Sequence, residues 1–195
     1  MNKPFDFYFD FISPYSYLAH KEIKEVEKKN SVKIKYKPIL LGGLHNLHSI
    51  KAPAFIPAKA KFMIRDCKLI AEKKKISFKF NSYFPIKTLN LMRGVIIAEE
   101  DEMQNFYIDN MFDSIWKDGL NFNDQNIIEK VIKNMNINPK TFFLRSTTPN
   151  VKNLLKEKTT DAFKKGIFGA PTFVVNNKIF WGQDRLEFAL DEYNN

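Results

Sequence analysis

One cysteine stands in a chain of 195 residues. Cys67 alone can build neither an internal disulfide, nor a dithiol redox centre, nor a cysteine-based zinc cluster. Apolar runs of membrane-spanning length are missing. Met1 to Pro4 lead straight into an aromatic segment without the basic and then apolar regions of a signal peptide, so a cytoplasmic protein with no membrane partner is expected. Internal repeats and low-complexity stretches are absent too, and so is an arginine-rich or aromatic-interleaved basic stripe. The net charge of +9 comes from lysines scattered in short groups such as Lys73-Lys74-Lys75. That pattern reads as solvated surface with some steering of anionic ligands, and not as a nucleic-acid groove. What is present is apolar mass, 44% of the residues, enough for one compact unit with a real core.

Phe5, Phe7, Phe9 and Phe11 fall on alternate positions, the period of a strand. Pro14 suits the first turn of a helix, and Leu18, Ala19, Ile23 and Val26 recur at helical spacing up to a break at Asn30-Ser31. Val32, Ile34 and Tyr36 alternate again, completing a βαβ unit. From about Leu44 to Asn150 the pattern is almost wholly helical, with shared faces Met63, Cys67, Ile70; Leu89, Met92, Ile96; and Ile128, Val131, Ile132, Met135. Asn138-Pro139 and Thr148-Pro149 signal helix starts, and Gly166 behind Lys164 and Lys165 signals a stop. Strand period returns at Thr172 to Val175 and Lys178 to Trp181, joined by Asn176-Asn177 as a two-residue hairpin turn, before a short helix from about Asp184 to Asp191. Neither strand set alone could form a buried sheet. The fold class is therefore α/β, in the order β-α-β, helical block, α-β-β-α. One discontinuous domain (1–44 and 151–195) is interrupted by an all-helical insertion (45–150).

Three stretches carry possible chemistry. Ser13-Pro14-Tyr15-Ser16 sits at the first strand-to-helix junction, where a thioredoxin-type redox protein carries Cys-x-x-Cys because a helix N-terminus stabilises a thiolate. With serine at both cysteine positions, disulfide exchange is excluded. The Ser13 hydroxyl can donate to a thiolate supplied by a ligand, or it can simply cap the helix. Gly169-Ala170-Pro171-Thr172 precedes the hairpin, where thioredoxin folds carry a cis-proline. The Ala170 N–H and C=O would there be free to bind a peptide-like backbone by strand addition. Phe180-Trp181-Gly182-Gln183-Asp184-Arg185 opens the last helix. The N–H groups at Gln183 and Asp184 suit a carboxylate, and the Asp184 side chain either pairs with an ammonium or caps its helix. A thiol at Ser13, a peptide at Ala170-Pro171 and a zwitterion at Gln183-Asp184 together describe glutathione.

Motifs spread in order over nearly the whole chain resemble the 2-hydroxychromene-2-carboxylate isomerase family. They are Phe7-Tyr8-Phe9-Asp10-Phe11-Ile12-Ser13-Pro14-Tyr15-Ser16-Tyr17-Leu18-Ala19, Pro38-Ile39-Leu40-Leu41-Gly42-Gly43, Pro57-Ala58-Lys59 with Arg65-Asp66, Phe84-Pro85, and Gly166 through Thr172 to Gly182-Gln183-Asp184-Arg185-Leu186. The resemblance implies the fold of kappa-class glutathione transferases and DsbA-like oxidoreductases, that is, a thioredoxin domain with a helical insertion, paired into a homodimer. It implies glutathione as cofactor, with Ser13 as the catalytic group. Lys59, Ala170, Pro171, Gln183, Asp184 and Arg185 join Ser13 in binding the cofactor, and Tyr15, Phe84 and Lys87 line the pocket of an electrophilic small-molecule substrate. The implied reaction interconverts 2-hydroxychromene-2-carboxylate and trans-o-hydroxybenzylidenepyruvate by reversible thiolate addition. Two positions depart from the family pattern. Ser49-Ile50 replaces a Gly-Asn pair that helps hold glutathione, and Lys87-Thr88 replaces Asn-Thr, which favours an anionic substrate.

His45 and His48 would share a helical turn, but with no third ligand candidate nearby they read as packing or solvent-facing residues and no metal is expected. Cys67, between Met63 and Ile70, reads as core. Of three functions weighed, a thiol-disulfide oxidoreductase is strongly argued against by both serines, which leaves a glutathione-dependent isomerase or kappa-like transferase and a non-catalytic thioredoxin-fold binding protein.

Overall fold

The computed structural model describes residues 4–29 and 32–195, so the expected break at Asn30-Ser31 lies outside the described residues. The alternating phenylalanines build β1 (Phe5–Phe9), in which Phe5, Phe7 and Phe9 are fully buried. Strand β1 pairs in parallel with β2 (Lys35–Pro38) and antiparallel with β3 (Thr172–Val175), which pairs antiparallel with β4 (Lys178–Trp181). The resulting order is β2-β1-β3-β4, and helix α1 (Pro14–Lys29) makes the parallel crossover. Between the two halves of the sheet run α2 (Leu41–Leu47), α3 (Pro57–Lys74), α4 (Leu89–Glu100), α5 (Gln104–Trp116), α6 (Gln125–Asn134), α7 (Pro139–Ser146) and α8 (Pro149–Lys164). Helix α9 (Leu186–Asn194) ends the chain. This is the expected α/β thioredoxin arrangement carrying a long helical segment.

An aromatic column ties the sheet to the helices. Phe7 stacks on Phe9 and on Phe173 at 5.6 and 5.4 Å, and Phe9 and Phe11 reach Phe112 of α5 at 5.6 and 4.9 Å. Separating the two layers would expose rings that are all fully buried, a large loss of apolar contact. On the other face of the sheet, Tyr8, Ile39, Leu44, Ala162 and Ile167 form a second, smaller core under α2 and α8.

Most punctuation signals act as expected. The Asn138 side chain accepts the Thr141 N–H at 3.1 Å. Gly166, at φ +81°, ends the turn after α8, with the Ile167 N–H donating to the Ala162 C=O. Asn176 and Asn177, at φ +50° and +62°, make the hairpin turn. Thr148 departs from its expected role: its hydroxyl donates to the Arg145 C=O instead of capping α8. The helical pattern also breaks between α3 and α4. There Phe78, Phe80 and Phe84 gather around Trp116 instead of forming a stripe, while Asn81 donates to the Ile115 and Leu120 carbonyls. Leu89 does not share the buried face of Met92 and Ile96, being 40% exposed at the first turn of α4. Helix α2 runs across residue 44, the seam read from the sequence, and α8 starts two residues before its other end at 151. The final helix begins with a 3-10 turn, Gln183–Arg185, before α9.

Candidate functional site

Antiparallel pairing of Tyr8 with Thr172 brings the C-terminal end of β1 and the N-terminal end of β3 to one edge of the sheet. That juxtaposes Ser13 and the Ala170-Pro171 peptide, which is cis. The Ser13 hydroxyl donates to the Ala170 C=O at 3.0 Å, and its oxygen accepts the Ser16 N–H at 3.1 Å. Ser13 thus caps α1, as one of its two sequence readings has it, and at the same time faces the residue before the cis-proline. One expectation is corrected: the Ala170 C=O is not free, because the Ser13 hydroxyl, itself only 5% exposed, occupies it.

Beneath Ser13 lies a residue to which the sequence reading gave no role. Asp10 is fully buried. Its carboxylate accepts the Ile12 N–H at 3.0 Å and the Leu41 N–H at 2.8 Å, and the Thr88 side chain lies close enough to favour its charged form. Its C=O accepts the Ser13 N–H. One side chain therefore fixes the Ser13 loop, the start of α2 and the residue preceding α4. Burial pushes its pKa up, against the pull of those hydrogen bonds. The available signal was an acid at the end of an aromatic strand, two residues before a turn N–H, which is the spacing of an Asx-turn.

The third stretch closes the same edge. The Gly182 N–H donates to the Pro171 C=O at 3.0 Å, and Gly182 itself sits at φ +119°, a conformation suited to glycine. Trp181 packs against Phe168 at 4.9 Å, and a Cβ on Gly169 would lie 2.6 Å from its Nε1, so glycine is needed for this close approach. Asp184 caps neither the 3-10 turn nor α9. It pairs with Arg185 at 3.0 Å and is largely exposed, while Arg185 lies over the Phe188 ring. The cap reading of Asp184 is thereby replaced by an exposed carboxylate beside a guanidinium. Gln183 is half-buried at the start of the turn.

The remaining candidates are less closely gathered. The Tyr15 hydroxyl donates to Asp66 of α3 at 2.8 Å, and burial together with that carboxylate pushes its pKa up, so it remains a donor. Lys59, on the first turn of the same helix, is exposed and makes no side-chain hydrogen bond or ion pair among the described residues. Phe84 belongs to the Trp116 cluster, and Trp116 Nε1–H donates to the Phe11 C=O at 2.8 Å, so Phe84 supports the Ser13 loop through an intermediary. Lys87 is exposed and its N–H donates to Asn123 Oδ1. Ser49 lies at φ +55°, the region that the glycine of the family pattern adopts without strain. His48 packs on Phe163 at 4.5 Å and its Nε2 contacts the Ile167 C=O at 2.8 Å, a packing role. Cys67 is fully buried, and burial raises its pKa to about 12, as suits a core thiol.

Comparison with known proteins bears on the family and the fold. The chain is 29% identical over 197 residues to 2-hydroxychromene-2-carboxylate isomerase from Sphingobium xenophagum, covering 99% of this chain and 98% of that one. It is 27% identical to glutathione S-transferase kappa 1 of Caenorhabditis elegans, covering 95% and 88%. A solved structure of a 2-hydroxychromene-2-carboxylate isomerase superposes with a TM-score of 0.88 at 21% identity, covering 97% of this chain and 94% of that one. With residues 5–194 matching the family as a whole, and serine where a redox cysteine would stand, the chain belongs to the DSBA-like thioredoxin domain family.

Proposed function

We propose that the protein is a glutathione-dependent isomerase of the 2-hydroxychromene-2-carboxylate type, with Ser13 as the group that stabilises the cofactor thiolate. The observation carrying this reading is the contact of the Ser13 hydroxyl with the carbonyl before the cis-proline, on a helix start that holds no cysteine. The residues present fit the tripeptide. The Ser13 O–H and the N-terminus of α1 suit a thiolate, the Ala170 backbone suits a peptide unit, and the exposed Asp184–Arg185 pair suits a zwitterionic end. When bound, glutathione supplies a thiolate that adds reversibly to a conjugated substrate, converting a double bond into a rotatable single bond, and it is released unchanged. The chain's part is to turn the Ser13 proton from the Ala170 C=O toward the sulfur, which frees that carbonyl for an N–H of the incoming peptide. Lys59 and Gln183 complete the cofactor site in this reading, and Tyr15, Phe84 and Lys87 the substrate side, with Lys87 favouring an anionic substrate. Exposed Phe62 and Leu69, seven residues apart on α3, offer apolar surface that a homodimer would cover. No helix among the described residues is long and apolar enough to cross a membrane, in keeping with a cytoplasmic enzyme.

A kappa-like transferase is the second reading, favoured by the similarity to the kappa 1 protein. The deciding experiment titrates glutathione against the protein while following thiolate absorbance, then supplies 2-hydroxychromene-2-carboxylate. Isomerisation without consumption of glutathione supports the first reading. Stoichiometric conjugation of an electrophile supports the second, and absence of a thiolate signal removes both in favour of a binding protein.

A further inference from the structure

A cavity of about 380 Å³ opens between α2, α4 and α8. It is not the site described above, since none of Ser13, Tyr15, Ala170, Pro171, Gln183 or Asp184 lines it. Leu47, Leu89 and Leu155 supply its apolar wall, two of them substantially exposed at the mouth. Arg93, Lys152 and Lys156 supply its only charges, with no aspartate or glutamate among the lining residues. The cations nearby are paired: Arg145 with Glu100 and Asp101, and Lys158 with Glu99. The three in the cavity are not, among the described residues. Arg93 donates from Nη1 to Asn90 at 3.2 Å, while its Nε is buried without a partner. A guanidinium left in this state at an apolar wall costs desolvation, and burial lowers its pKa accordingly. An anion brought by a ligand with an apolar body would remove that cost.

We propose that this cavity binds a small amphipathic anion, a monocarboxylate with an aromatic or short aliphatic body, its carboxylate on Arg93 and its body against Leu47, Leu89 and Leu155. Guanidinium fits a carboxylate in two parallel hydrogen bonds, and the two lysines add attraction at the entrance. The volume lies at the low end of the range of about 300–1,000 Å³ for small-molecule pockets, which suits a single-ring or two-ring acid. This inference does not rest on the reading of Ser13, and its test needs no glutathione.

The probes are 1-naphthoate and its neutral counterpart 1-naphthalenemethanol, titrated calorimetrically into the full chain, with leucine methyl resonances followed by NMR. Naphthoate is expected to bind at least tenfold more tightly than the alcohol and to shift the methyls of Leu47, Leu89 and Leu155. Arg93→Gln is expected to lower its affinity at least tenfold. Should that variant fold poorly, the exposed pair Lys152→Gln with Lys156→Gln decides, with an expected loss of severalfold at unchanged melting temperature. Equal binding of acid and alcohol overturns the proposal, as does undetectable binding, indifference to the lysine pair, or shifts confined to residues around Ser13 and Trp181. Loss of binding in step with dimer formation on concentration, seen by sedimentation, overturns it in favour of a second copy of the chain as the occupant.

Discussion

The Ser13 hydroxyl and the Ala170 carbonyl are hydrogen-bonded at 3.0 Å although 157 positions separate them in the chain. The bond joins the start of α1 to the loop before β3, and it commits the proton that the proposed chemistry needs to a carbonyl from which an N–H of the cofactor's backbone would have to displace it.

Ser13→Ala therefore removes a cap and a proton donor together. Loss of the cap is expected to cost about 1 kcal/mol in denaturant melts. The transition state for turnover should lose about 1.5–3 kcal/mol, the worth of a hydrogen bond to a charged group, while glutathione binding falls by less. Ser16→Ala, at a buried hydroxyl with no partner, should leave both nearly unchanged. Abolition of turnover by Ser16→Ala with Ser13→Ala unaffected would reverse the assignment.

Asp10→Asn tests the buried carboxylate. An amide oxygen can take the Ile12 or the Leu41 N–H, but its NH2 cannot take the other, so about 1–3 kcal/mol of stability should be lost. Because burial raises the pKa of Asp10, its contribution is fully present below the unfolded carboxylate value of about 3.9 and declines as pH rises through the folded value. The stability gap between parent and variant should therefore narrow on going from pH 4 upward. A gap that widens over that range would contradict the raised pKa.

Acid sensitivity should come partly from His20. It is buried, with Nδ1 2.8 Å from the Tyr36 hydroxyl and Nε2 2.9 Å from Asp109, and burial lowers its pKa despite that carboxylate. A depressed histidine contributes stability above its unfolded pKa of about 6.5, and that contribution is lost as pH falls through the folded value. Urea midpoints of the parent should drop between pH 7 and pH 5 by more than those of His20→Gln. Parallel midpoints for the two proteins would remove His20 as the cause.

Gly94→Ala probes the seam of α4, α5 and α7. Alanine is worth about 1 kcal/mol more than glycine inside a helix. Here, however, its Cβ would lie 2.6 Å from Phe142 Cζ and closer still to the Tyr107 hydroxyl, both on fully or nearly fully buried rings. Overpacking of this kind costs about 1–3 kcal/mol, so a net loss is expected in spite of the better propensity. A rise in melting temperature would show that these rings can move.

Asp184→Asn separates ligand contact from architecture more cleanly than a capping residue would allow, because the carboxylate caps nothing and pairs only with its exposed neighbour. Thermal stability should not change. Glutathione affinity, measured by calorimetry, should fall severalfold through loss of a charge-assisted contact. Unchanged affinity would move the cofactor's zwitterionic end away from this turn.

The sequence by itself determined the elements that rest on local chemistry. Alternating phenylalanines made β1, paired asparagines made the hairpin turn, Gly166 ended α8, and serine at positions 13 and 16 excluded a dithiol. Each is a choice made within a few residues, by side-chain period or by backbone freedom. Tertiary structure decided whatever depended on distant partners. Asp10 looks like any strand-end acid until Leu41 and Thr88 arrive to surround it, and Leu89 fits an apolar stripe until the fold turns it toward an open cavity. Asp184 has the composition of a cap, yet the left-handed Gly182 and the following 3-10 turn place its carboxylate beside Arg185 instead. The physical reason is the same in each case. Burial and hydrogen-bond partnership are properties of the packed chain, and residues far apart in sequence acquire them only when the sheet brings their loops to one edge.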